Sequence, residues 1–102
     1  MNQLTGKIKY QFTASPWQYQ GPGGWWFVTL PPEISAEIRT HLKEFEEGWG
    51  RLKATAQINQ YSWATAIWFD TKAQSYLLPL KAEVRKKEAI VLGKTLEVII
   101  WV

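Results

Sequence analysis

Catalysis requires a positioned acid, base, nucleophile or metal ion, and this sequence holds few side chains of those kinds. It has no cysteine, one histidine, His41, and one aspartate, Asp70. A lone histidine without thiolates or clustered carboxylates is a poor metal set, and the polar neighbours of His41 place it on a surface. Asp70 opens the segment Asp70-Thr71-Lys72-Ala73-Gln74, a turn in which its carboxylate can bond the local backbone. Five glutamates lie between Glu33 and Glu47, where they read as the solvated charge of a helix. Glu97 is the exception, a carboxylate on a strand that could turn it inward. No Gly-rich phosphate loop, Gly-x-Ser-x-Gly or His-Glu-x-x-His occurs. The expectation is a domain with no catalytic residue, no metal and no cofactor.

Binding is better supplied. Trp17, Tyr19, Trp25 and Trp26 cluster in and just after the segment Ser15–Gly24, which has two prolines and three glycines and no apolar period. Two readings stand side by side. The loop folds back as a lid on the end of the fold, with Trp25 and Trp26 as core. Otherwise its aromatics form a stacking platform for a small molecule or a protein partner. A second possibility is nucleic-acid binding through Lys81, Arg85, Lys86, Lys87 and Lys94, beside Trp68 or Trp101. Glu83 and Glu88 interrupt that run, and the net charge is only +3, so a solvated charged segment explains it as well. Trp68 and Trp101 on outward strand faces would also suit self-association, which leaves monomer and homodimer both open.

The elements that must position these residues follow from periodicity. Lys7–Ala14 alternates, with Ile8, Tyr10, Phe12 and Ala14 on one side, as a half-buried strand does. Trp25–Leu30 is apolar on both faces and should be covered on both. Pro31-Pro32 then opens a helix. Ile34, Ile38, Leu42, Phe45 and Trp49 follow as one apolar stripe, with Gly48 or Gly50 as its stop. That helix would cover the outer face of the preceding strand. Arg51–Asn59 and Tyr61–Phe69 alternate again, joined by a tight turn at Asn59-Gln60. Tyr76–Leu80 is a further strand, Lys81–Glu88 is a short helix or a charged loop, and Lys94–Val102 is the last strand.

The chain of 102 residues is one domain, 1–102. Its 46% hydrophobic and 15% aromatic content suits a packed core. The absence of cysteine, a polar N-terminus and the lack of any apolar run near 20 residues point to the cytoplasm and to no membrane partner. A repeat organises the whole. Trp25-Trp26-Phe27-Val28-Thr29-Leu30-Pro31-Pro32-Glu33-Ile34 returns as Ser75-Tyr76-Leu77-Leu78-Pro79-Leu80-Lys81-Ala82-Glu83-Val84. Each copy leads through a charged segment to a Gly-basic pair, Gly50-Arg51 and Gly93-Lys94. About six strands and one good helix in two interlocked halves predict a mainly β fold, a small closed or split barrel filled by tryptophan.

Two resemblances attach to these motifs. The segment Leu78–Ile100 resembles the AbrB-type swapped-hairpin DNA-binding domains through Glu83-Val84-Arg85 and Gly93. It departs from them in the spacing after Pro79, in Glu88 and in Gly93-Lys94. Over nearly the whole length, WWFVTLPPEISAEI, GRLKATAQIN and YLLPLKAEVRKK resemble a bacterial domain-of-unknown-function family, number nineteen-oh-five. That resemblance implies a double-psi-like or split β-barrel and no catalytic residues. Some members carry a further C-terminal segment associated with bacteriocin protection. The sequence given stops at Val102, and that role is not carried over.

Overall fold

The computed structural model describes residues 8–102. The first residue of the predicted N-terminal strand, Lys7, and the polar leader before it lie outside the described residues. In order, the elements are β1 (Lys9–Ala14), β2 (Trp17–Gln18), β3 (Trp26–Thr29), α1 (Pro32–Leu42), β4 (Arg51–Ile58), β5 (Tyr61–Asp70), β6 (Ser75–Pro79), α2 (Ala82–Lys87) and β7 (Leu96–Trp101). All strand pairs are antiparallel. No helix among the described residues is long and apolar enough to cross a membrane.

The sheet is mainly β as predicted, but it is not a closed cylinder of six strands. Among the described residues seven strands run in the open order β1-β7-β4-β5-β6-β3-β2, curled into a half-barrel. The extra strand is β2, which lies inside the segment read as loop. The two ends of the order, β1 and β2, are consecutive in the chain and joined by Ser15-Pro16. Proline brings no N–H to a ladder, so the pairing with β7 stops at Ala14. Pairing resumes two residues later with a different partner, where Trp17 faces Phe27.

The period of two places the core. Leu52, Ala54, Ala56 and Ile58 of β4 are buried, as are Val98 and Ile100 of β7. They meet Val28, Leu30, Tyr76, Leu78 and Leu80 in one cluster, which Ile38 of α1 and Val84 of α2 join. Each fully buried aliphatic side chain of this kind contributes ~1.5–3 kcal/mol. The Asn59-Gln60 turn forms between β4 and β5 without glycine, because Asn59 itself takes φ 55°, a region asparagine tolerates.

The repeat has a physical counterpart. β3 and β6 pair about Val28 and Leu78. The Leu30 amide donates to Tyr76 O and the Leu80 amide to Trp26 O, both at 2.9 Å. Residues fifty apart in sequence thus exchange matching bonds across a local two-fold. The helices start in step, α1 at Pro32 and α2 at Ala82, so the charged segment after β6 is a helix, though a short one.

The predicted helix is overlong. α1 stops at Leu42, and the apolar stripe keeps only Ile34, Ile38 and Leu42 against the core. A 3-10 turn over Lys43–Phe45 leaves Phe45 exposed. The residue turned inward is Glu46, which accepts from the Tyr76 hydroxyl and lies 3.4 Å from Arg39 Nε. Trp49 lies in a tight loop and is 91% exposed. The helix also does not cover both faces of β3. Ile38 packs on the side of Val28 and Leu30, and the opposite side, with Trp25 and Phe27, stays outside the core cluster.

Candidate functional site

Strand alternation gathers the uncovered side chains onto the outer face of the sheet. Arg51 is opposite Trp68, Trp68 opposite Leu77, and Leu77 opposite Thr29. One step along, Lys53 is opposite Ala66 and Pro79 opposite Phe27. Phe27 in turn faces Trp17. The rings of Trp17 and Phe27 lie 5.2 Å apart, and Trp17 Nε1 donates to Thr29 Oγ1 at 2.9 Å. The apolar character of both faces of β3 therefore has two causes. One face fills the core; the other makes a surface.

That surface is concave in two places that run together. An apolar groove of about 300 Å³ is walled by Trp25, Phe27, Trp68, Leu77 and Pro79. Trp25 is 59% exposed and Trp68 37%. Trp68 and Pro79 are also walls of a second, wider depression of about 570 Å³, which holds Arg51, Lys53 and Lys81. Ala64 and Ala66 of β5 line its floor, and their small side chains leave the strand backbone close to the surface there. Arg51 is held at the rim by Glu47, 2.6 Å from its guanidinium, and lies 5.8 Å from the Trp68 ring.

The four aromatics expected to gather divide between the faces. Trp25 walls the groove, and Trp17 extends its aromatic surface beyond Phe27. Trp26 points the other way, packed on the core with the Arg85 guanidinium 4.7 Å from its ring. Tyr19 is exposed in the turn after β2, where its ring lies over Gly21. The basic residues are dispersed as well. Lys81 reaches the wider depression. Arg85 Nε donates to Leu80 O at 3.1 Å, and Lys87 Nζ lies 5.6 Å from the Tyr61 ring. Lys86 and Lys94 are exposed. Trp101 is half-buried, opposite Thr55 on the same outer face as Trp68.

The candidate reacting groups are tied to structure. His41 is exposed on α1. Asp70 Oδ1 accepts from the Lys72 amide at 3.0 Å, the turn bond its position predicts. Glu97 points outward and accepts from Gln11 Nε2, so the strand does not bring it inside. Among the described residues no group of three or more His, Asp or Glu could hold a metal ion. Among the described residues Tyr76, Glu46 and the partly buried Arg39 form an ionisable cluster, and Arg39 also lies 3.7 Å over the Phe69 ring. Burial first, then the hydrogen bond to Glu46, pushes the Tyr76 hydroxyl well above the usual tyrosine range. Tyr10, desolvated and bonded to Glu37 at 2.9 Å, is pushed up to about 12. A phenol held neutral in this way joins helix to strand.

Phe27, Leu77 and Pro79 are groove residues that were not among the sequence candidates. The signal was present in the repeat, since a second apolar strand with the pattern of β3 also carries two faces.

A family model described as Domain of unknown function (DUF1905) matches residues 12–100. No curated protein matches the chain.

Proposed function

Because the chain belongs to the DUF1905 family, whose description assigns no activity, we propose from its surface that it is a non-catalytic binding domain. Its ligand is a small molecule lying on the outer sheet face, against Trp25, Phe27 and Trp68. The observation that carries this reading is the apolar groove itself. Small proteins seldom leave contiguous aromatic surface uncovered without using it, and about 300 Å³ is at the lower end of ligand-site volumes. Neither the groove nor the depression beside it is lined by a histidine or a carboxylate, which gives catalysis at this surface no comparable support. Nucleic-acid binding is the weaker reading, because Arg85 and Lys87 are engaged with Trp26 and Tyr61.

N-phenyl-1-naphthylamine, a neutral flat fluorophore, tests the groove. Its emission should rise on binding to the folded protein. The paired substitution Trp25→Ala/Trp68→Ala should abolish the rise while circular dichroism stays unchanged. Trp49→Ala, which removes a more exposed tryptophan elsewhere, should not affect it. Equal binding by all three proteins would place the ligand away from the groove and refute the proposal. A short oligothymidylate that binds with steep salt dependence would favour the nucleic-acid reading instead.

A further inference from the structure

The groove does not end in neutral surface, and this bears on the chemistry of its ligand. We infer that the ligand is an aromatic anion: a flat apolar body seated between Trp25 and Trp68, with a carboxylate, sulfonate or phosphate held by Lys53 and Lys81. The inference rests on the groove being the binding site.

Four observations converge on it. First, the apolar groove and the cationic depression share Trp68 and Pro79, so one molecule of modest length can occupy both. Second, the depression is lined by three cations and no carboxylate. Third, the cations are not equivalent. Arg51 is neutralised by Glu47, whereas neither Lys53 nor Lys81 makes an ion pair among the described residues. Two ammonium groups without an ion-pair partner therefore line one depression, and an anion seated there gains from both. Fourth, the floor between them is built from Ala64 and Ala66, so an anion can approach the strands closely with the ammonium groups standing beside it.

The fold makes this arrangement local. Lys81 occupies the place in the second half that Pro31 has in the first, after Leu80 and Leu30 respectively. The cation therefore appears at only one of the two related strand ends. Aromatic walls rather than aliphatic ones select a flat partner, since stacked rings gain from each other beyond their buried area.

The test compares two fluorophores that differ by one charged group. Anilinonaphthalene-8-sulfonate carries the sulfonate that N-phenyl-1-naphthylamine lacks. Wild-type protein should bind the sulfonate about tenfold more tightly, the equivalent of one well-placed charge contact. Lys53→Glu/Lys81→Glu should remove that advantage and leave the neutral probe within about twofold of wild type. Lys43→Glu/Lys72→Glu makes the same change of net charge away from the groove and should alter neither. Raising salt to about 0.5 M should weaken only the sulfonate. As competitors, 1-naphthoate should displace the bound probe at lower concentration than dodecanoate.

Equal affinity for the two probes in wild type would overturn the inference while leaving the groove intact. So would an equal effect of the two charge-reversal pairs. Displacement by dodecanoate alone would overturn the aromatic part. Failure of the neutral probe to bind at all would instead remove the groove reading on which the inference stands.

Discussion

Trp49 holds a left-handed backbone, φ 68° and ψ 23°, which costs an ordinary side chain about 1 kcal/mol or more. The cause is the loop around it. Glu47 and Arg51 bond each other's backbones in both directions, at 2.7 and 3.0 Å, so only Gly48, Trp49 and Gly50 are left to reverse the chain. Gly50 shares the conformation at φ 74°, and a Cβ there would lie 3.0 Å from Phe69 Cβ. The two positions should therefore respond in opposite ways. Gly50→Ala should lower stability by about 1–2 kcal/mol, from both the backbone and the crowding of Phe69. For a domain this size that is a fall in Tm of roughly 4 °C or more. Trp49→Asn should hold or raise Tm, because asparagine tolerates this region and little packing is lost at 91% exposure. Thermal melts by circular dichroism decide both. A clear fall for Trp49→Asn would mean that the indole is stabilising in a way its exposure does not reveal.

Between elements, tyrosines do the fastening. Ser35 at the start of α1 accepts the Tyr76 amide at 3.0 Å, and the Tyr76 hydroxyl donates to Glu46 just past the end of the helix. One strand residue thus grips both ends of the helical segment. This explains why α1 ends early. The chain must bend at Leu42 to return Glu46 to Tyr76 and Arg39, and apolar spacing alone cannot express a polar contact made from another element. Tyr10 repeats the device between β1 and Glu37 of α1. Its pKa is raised to about 12, against about 10 for an unfolded tyrosine, so the folded state holds that proton more tightly. The resulting stability is fully present below about pH 10 and is lost as pH rises from there towards 12. Urea midpoints taken from pH 8 upward should fall for the wild type, and Tyr10→Phe should make the fall shallower. Parallel curves for the two proteins would show that the Tyr10–Glu37 contact does not report on folding.

At the scale of the molecule, alternation and the repeat made most of the architecture legible. Leu52 to Ile58 and Leu96 to Val102 announce their buried faces by period two, and the twin copies at Trp26 and Tyr76 meet across one ladder. Curvature was not legible, because a residue pattern does not say which neighbour a strand takes. Pro16 separates β1 from β2, and the short β2 pair has no periodic signal of its own. The groove was half legible. Trp25 was a candidate, but its partners Trp68, Leu77 and Pro79 are brought to it by pairings β3–β6 and β5–β6 that only the fold supplies. The same topology makes β7 the strand on which the halves depend, since it lies between β1 and β4. Ile100 and Val102 are buried there, and Val102 and Ile8 exchange both backbone bonds, at 2.9 and 3.0 Å. Deleting Ile100–Val102 removes two buried aliphatic side chains, at ~1.5–3 kcal/mol each. It also removes several ladder bonds at ~1 kcal/mol each. The total is comparable with the whole ~5–15 kcal/mol that holds a domain of this kind folded. The shortened chain should lose its cooperative melt and its dispersed amide proton spectrum. A sharp transition within a few degrees of the full chain would show instead that β1 and β4 can do without the end of the strand between them, and that the two halves are joined mainly through β3 and β6.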